Sequence, residues 1–169
     1  MVRKIRIYGD PVLREKAVPM GTVDDDARAL AQDLLDTLAS ADGVGLAAPQ
    51  IGISRRMIAV HPPPPSEAAP RPDAIVYVDP EIVERTGGTD TAEEGCLSIP
   101  GIYEDVKRDW EVRMRAHDLD GQELEIVADG MLARILQHEI DHLDGVLFVD
   151  RIGPMRRALL KKRLRELRG

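Results

Sequence analysis

Gln137-His138-Glu139-Ile140-Asp141-His142-Leu143-Asp144-Gly145 contains the pattern His-Glu-x-x-His, and its reading governs the rest of the chain. Residues four apart share one face of a helix, so His138 and His142 can offer imidazole nitrogens to one metal ion. Glu139 follows the first of them and comes within reach of a water at that ion without being a ligand itself. A helix is expected: Asp129 can cap its start, Met131 to Leu143 holds neither proline nor glycine, and Gly145 suits its end. Leu132, Ile135, Leu136, Ile140 and Leu143 make it apolar on most sides, as in a central buried helix. The competing reading is a buried helix whose two histidines are simply hydrogen-bonded.

A catalytic site of this type needs a third protein ligand and an open position. In the longer pattern His-Glu-x-x-His-x-x-Gly-x-x-His the third histidine would fall at 148; the chain matches through Gly145 and then has Phe148. A downstream carboxylate would have to be Asp150, close to the helix end, or Glu166, inside a basic tail. Upstream lies Cys96, whose thiolate would complete a Cys-His-His set. It is the only cysteine, so no intrachain disulfide forms and a reducing compartment is expected. Its plainer reading is a small buried hydrophobe.

With 169 residues the chain is expected to form one domain, 1–169. Aromatic residues make up 3% and hydrophobic residues 43%, so aliphatic side chains must fill the core. A net charge of −7 argues against DNA or general nucleic-acid binding. No apolar h-region follows Met1-Val2-Arg3-Lys4-Ile5-Arg6, and no run is long enough to span a membrane. A cytoplasmic location is the expectation.

Residues 1–20 read as an extended arm turning at Gly9-Asp10-Pro11, and Asp24 to Ser40 as a helix packed through Leu30, Leu34, Leu35 and Leu38. Gly43-Val44-Gly45-Leu46-Ala47-Ala48-Pro49-Gln50-Ile51-Gly52 is unusual for a connector. Its glycines allow another strand or an extended ligand to approach, and the Gln50 amide can donate to a developing oxyanion. The alternative is a tight bend with a surface glutamine. Arg56 to His61 reads as a short strand around Met57-Ile58-Ala59-Val60, 62–72 as an exposed proline-rich loop, 74–80 and 81–85 as strand, turn, strand, and Gly87-Gly88 as a further turn. Trp110 to His117 alternates as a half-buried strand, and Gln122 to Val127 forms another. His61 and His117 are placed at the surface. From about 154 to 168 runs an amphipathic helix carrying seven basic residues against Glu166, which suits either solvent or an anionic partner.

Three segments together, Gly43-Val44-Gly45-Leu46-Ala47-Ala48-Pro49-Gln50, Glu94-Gly95-Cys96-Leu97-Ser98 and Gln137-His138-Glu139-Ile140-Asp141-His142, resemble the three signature motifs of the peptide deformylases. Their order and separation match, so the resemblance covers nearly the whole chain. It implies an α+β fold with antiparallel strands wrapped around a central metal-binding helix, an N-terminal helix and a basic C-terminal helix. The implied activity removes formyl from the N-terminal formylmethionine of new polypeptides.

The same resemblance assigns Cys96, His138 and His142 to the metal and makes Glu139 general base and then general acid. Gln50 and the Leu97 backbone N–H fall to the oxyanion, and the Gly45 backbone to aligning a peptide bound as an added strand. Methionine needs an apolar pocket, and Val44 and Ile135, three residues before His138, are expected to line it. The resemblance implies one divalent ion, Fe2+ in the cell, though the ligand set also accommodates Zn2+, Ni2+ or Co2+. It further implies docking of the basic helix near the ribosomal peptide exit. After Pro100 the chain departs from some members, with Gly101-Ile102-Tyr103 in place of a more polar run. Two competing functions are a zincin endopeptidase and a non-catalytic ribosome-binding protein with a structural metal.

Overall fold

The computed structural model describes residues 1–169, and its architecture follows from one strand that is apolar on both faces. That strand, β2 (Met57–Val60), sits in a five-stranded antiparallel sheet ordered β1 (Gly45–Ala47), β2, β3 (Ile75–Cys96), β4 (Ile99–His117), β5 (Glu123–Asp129). Successive strand side chains point to opposite faces. Ile58 and Val60 accordingly pack with Ile135, Leu136, Ile140 and Leu143 of helix α2 (Gly130–Leu143). Met57 and Ala59 pack with Ala27, Ala31, Leu34 and Leu38 of helix α1 (Asp25–Ala39). Both faces of the sheet are therefore covered, and α2 touches all five strands.

α1 begins as the sequence predicts: Asp24 accepts from the Ala27 N–H, with Asp25 and Asp26 in the positive first turn. For α2, Asp129 holds the N-cap position, but its side chain makes no capping hydrogen bond. The cap expected from its residue type is absent, and the helix relies on burial instead: every residue from Ala133 to Leu143 is buried. Gly145 ends the helix with φ +73°, and a Cβ there would lie 2.6 Å from the Arg14 carbonyl oxygen.

The expected strand, turn, strand over 74–85 and the turn at Gly87-Gly88 are corrected. β3 runs unbroken for 22 residues, and the breakers produce register shifts in its ladder with β4. Asp79 adopts φ +49° beside Pro80, and its carboxylate accepts from the N–H groups of Met20 and Gly21. Gly87 and Gly88 form a further irregularity, between Thr86 and Thr89. The real turn lies at Leu97-Ser98, where Cys96 pairs with Ile99. The N-terminal arm carries a 3-10 turn at Pro11–Arg14, capped by Asp10.

A third cluster joins Tyr8, Ile102, Val106 and Phe148 to Leu160 and Leu164 of helix α3 (Pro154–Leu167). The basic helix thus docks through two leucines and leaves its cations outside. His61 and His117 are not free surface residues. His61 Nδ1 lies 2.8 Å from the Pro72 carbonyl oxygen, and His117 Nδ1 is buried without a partner. No helix is long and apolar enough to cross a membrane.

Candidate active site

Cys96, His138 and His142 offer ligand atoms that all lie within 4.8 Å of one another. Cys96 Sγ is 3.3 Å from His142 Nε2, and the two imidazole rings meet edge to face at 5.1 Å. Tetrahedral bonding to one sulfur and two nitrogens separates ligand atoms by about 3.3–3.6 Å, so a single small cation suits this triangle. The helix supplies both histidines at i and i+4, and the hairpin between β3 and β4 delivers the thiol.

Ring orientation supports the same use. His138 Nδ1 donates to Glu94 Oε1 at 2.9 Å, which leaves the Nε2 lone pair free on the opposite side of the ring, as a metal ligand requires. Glu94 and Cys96 are two apart on β3. Burial works against the Glu94 carboxylate, but bonds from Arg108 and His138 outweigh it and hold its pKa at about 2. Arg108 grips Glu94 through Nε and Nη2, each at 2.9 Å, and reaches Asp141 Oδ2 at 2.6 Å. Arg134 adds a bond to Glu94 Oε2 at 2.7 Å while also donating to the Val106 and Asp90 carbonyls. The strand that bears the thiol is in this way pinned to the helix that bears the imidazoles.

Glu139 lies beside the triangle, and its Oε2 is buried with no protein partner. Burial pushes its carboxyl up to about 7, with Glu94 adding to the rise and His138 and Arg108 opposing it. Gly45 explains how the carboxylate comes so close to β1: a Cβ there would sit 2.7 Å from Glu139 Oε1. The close approach that the glycines were expected to allow is made, at Gly45, by a side chain of the protein itself.

Gln50 is buried, which settles against the surface-glutamine alternative. Its Oε1 accepts from the Ala47 N–H at 2.9 Å, so its amide N–H2 faces Ser98 Oγ at 3.1 Å and Cys96 Sγ at 3.5 Å. The Leu97 N–H finds no acceptor within the protein. Val44 and Ile135 both line the cleft of about 490 Å³ that opens on Cys96, His138 and Glu139.

Several residues that shape the site carried no role in the sequence reading. Glu94 could have been found from its i, i+2 relation to Cys96 on a strand, and Arg134 from its i, i+4 relation to His138. Tyr103 and Met131 also line the cleft, Tyr103 lying over Gly95. Phe148 was noted only as the residue where a third histidine would fall. It stacks on the His138 ring, with centroids 6.1 Å apart.

The sequence model of the polypeptide deformylase family matches residues 2–158. The chain belongs to that family. The peptide deformylase of Alkalilimnicola ehrlichii is 47% identical over 163 residues, covering 96% of this chain and 89% of that protein. That of Thermomicrobium roseum is 52% identical over 152 residues, covering 89% and 86%. Among solved structures, the Legionella pneumophila peptide deformylase superposes with a TM-score of 0.86 at 42% identity, covering 98% of this chain and 95% of the other. A Synechococcus elongatus deformylase in complex with actinonin gives 0.84 at 41%, covering 96% and 84%. The deformylase family is one of enzymes, and the α+β fold expected from the motifs is the fold observed.

Proposed function

We propose that this deformylase-family hydrolase removes the formyl group, as formate, from the N-terminal formylmethionine of newly made polypeptides. The observation that carries the reading is the Cys96-His138-His142 triangle opening on a cleft that Glu139, Gln50 and Leu97 share. Cys96, His138 and His142 would hold one divalent cation, Fe2+ in the cell, with Zn2+, Ni2+ or Co2+ as substitutes. When bound, such a cation supplies Lewis acidity, which acidifies water and polarises a carbonyl.

The rest is assigned to the chain's own groups. Glu139 takes a proton from the attacking water at its unpartnered carboxylate and returns it to the leaving amine nitrogen. Its raised pKa suits a group that must both accept and give a proton near neutrality. The Gln50 amide and the Leu97 N–H donate to the oxyanion, two neutral dipoles held ready before substrate arrives. β1 lies at the edge of the sheet, so an extended peptide can add beside Gly45 while Val44 and Ile135 receive the methionine side chain.

Formate release from a formyl-Met peptide, measured without oxygen on iron-loaded protein, tests this reading. A Glu139→Ala protein that folds and keeps its metal yet releases none supports it; an equally active one refutes it. The zincin alternative finds no downstream ligand: Asp150 is occupied by Arg14, Arg157 and the Leu147 N–H, and neither it nor Glu166 joins the Cys96-His138-His142 group. A closed structural metal is disfavoured because the triangle borders an open cleft.

For the basic helix the reading is attachment to the ribosome. Lys161, Lys162 and Arg165 are exposed, whereas Leu160 and Leu164 anchor α3. Charge reversal at those three cations should abolish co-sedimentation with ribosomes at low salt and spare peptide hydrolysis. Undiminished co-sedimentation counts against it.

A further inference from the structure

The loop over 62–72 delivers a cation to the mouth of the cleft. Two contacts fix it there: His61 N–H donates to the Val44 carbonyl at 2.8 Å, and His61 Nδ1 meets the Pro72 carbonyl at 2.8 Å, closing the loop on itself. Arg71 then reaches back, and its Nη1 donates to the Gly43 carbonyl at 3.2 Å. Gly43, Val44, Gly45 and Arg71 all line the cleft that holds Cys96 and Glu139.

Charge accounting singles out this arginine. The other cleft arginine, Arg134, is buried and committed to Glu94 and backbone carbonyls. Arg71 is exposed, and its one hydrogen bond goes to a neutral carbonyl. Asp42 and Glu93 also line the cleft, so any acidic preference comes from a local field rather than a uniformly positive wall.

Distance sets which part of a peptide meets Arg71. A strand rises about 3.3 Å per residue, so two residues span at most about 6.6 Å, and the bend at Val44 brings Gly43 closer than that to Gly45. With the formylated residue beside Gly45 and the peptide running antiparallel to β1, residues pair one to one, so the third residue comes nearest to Gly43 and the guanidinium. We propose that Arg71 selects substrates by charge, favouring an acidic side chain at the third residue of the formylated peptide. This rests on the deformylation reading above and names a preference within it.

An exposed guanidinium–carboxylate pair is a modest interaction, screened by salt. The test compares kcat/KM for formyl-Met-Ala-Glu, formyl-Met-Ala-Gln and formyl-Met-Ala-Lys, each as its C-terminal amide, on the iron-loaded enzyme. At low ionic strength Glu should exceed Gln by about threefold and Lys by up to about tenfold. Arg71→Gln, or high salt, should bring the three together, Arg71→Lys should keep their order, and Asp42→Asn should widen the spread. An order that persists in Arg71→Gln, or three equal rates in the unaltered protein, overturns the assignment. Formate from none of the peptides would overturn the deformylation reading itself, and this preference with it.

Discussion

Glu94 Oε1 accepts from His138 Nδ1 at 2.9 Å, and the same carboxylate is held by Arg108 and Arg134. One buried acid therefore orients a ring of the candidate metal group and shares the pairing of two guanidinium groups with Asp141 and Asp90. Replacing it by alanine strips that ring of its partner and leaves two guanidinium groups short of a counter-charge. Breaking a buried pair in this way costs about 3–5 kcal/mol. Metal affinity should fall by about 10–100-fold as well. Denaturant unfolding of metal-free protein and chelator competition for Co2+ measure the two effects separately. Glu94→Gln, which keeps the shape, should recover part of the first and little of the second.

Gly45→Ala places a methyl where Glu139 Oε1 now lies 2.7 Å away. The carboxylate must move, and a displacement of about 1 Å at a reacting group is worth on the order of 100-fold in rate. The expected result is a large fall in kcat with a near-native circular dichroism spectrum and metal content. Unchanged kcat would remove Glu139 from the chemistry as drawn.

Ile135 faces the cleft from α2, one turn before His138. Ile135→Phe should raise KM for formyl-Met peptides by an amount matching one or two lost methylene contacts, about 10-fold or more, given about 1–3 kcal/mol for a misfit in an apolar pocket. Steady-state kinetics with formyl-Met-Ala-Ser decides, and an unaltered KM would place the methionine side chain elsewhere.

Acid should unfold the protein in a window set by two carboxylates. For Asp150, burial raises the pKa, but Arg14 and the Leu147 N–H more than compensate and hold it below 3.8. Glu94 is lowered from 4.5 to about 2. Both are depressed in the folded state, so their contribution is complete above the unfolded values. It is lost as the pH falls through the folded ones. Tm of metal-free protein should thus decline from about pH 4.5 downward. Asp150→Asn should lower Tm at pH 7 and flatten that decline around and below the unfolded aspartate value of 3.8, and an identical pH profile would refute the assignment.

Sequence spacing made the two histidines of the candidate metal group legible because a helix has a fixed period: His138 and His142 had to share a face, and the structure brings Cys96 rather than Asp150 or Glu166 to them. The two core helices and β2 were legible for the same reason. What was not legible depended on pairing between distant segments. Gly87-Gly88 reads locally as a turn, yet 22 residues of β3 find a partner in β4, and the ladder absorbs the glycines as an irregularity. Asp129 has a capping side chain and does not use it. Phe148 looked like a missing ligand until folding laid its ring against His138.

β1 forms one border of the sheet and is only three residues long. An uncovered border of this kind can also recruit a second protein molecule and seed aggregates. Its shortness, the bend at Val44 and the cation hung over Gly43 leave too little free ladder for a lasting homotypic pairing. The uncovered border is thereby kept from becoming an adhesive seam between copies of the enzyme.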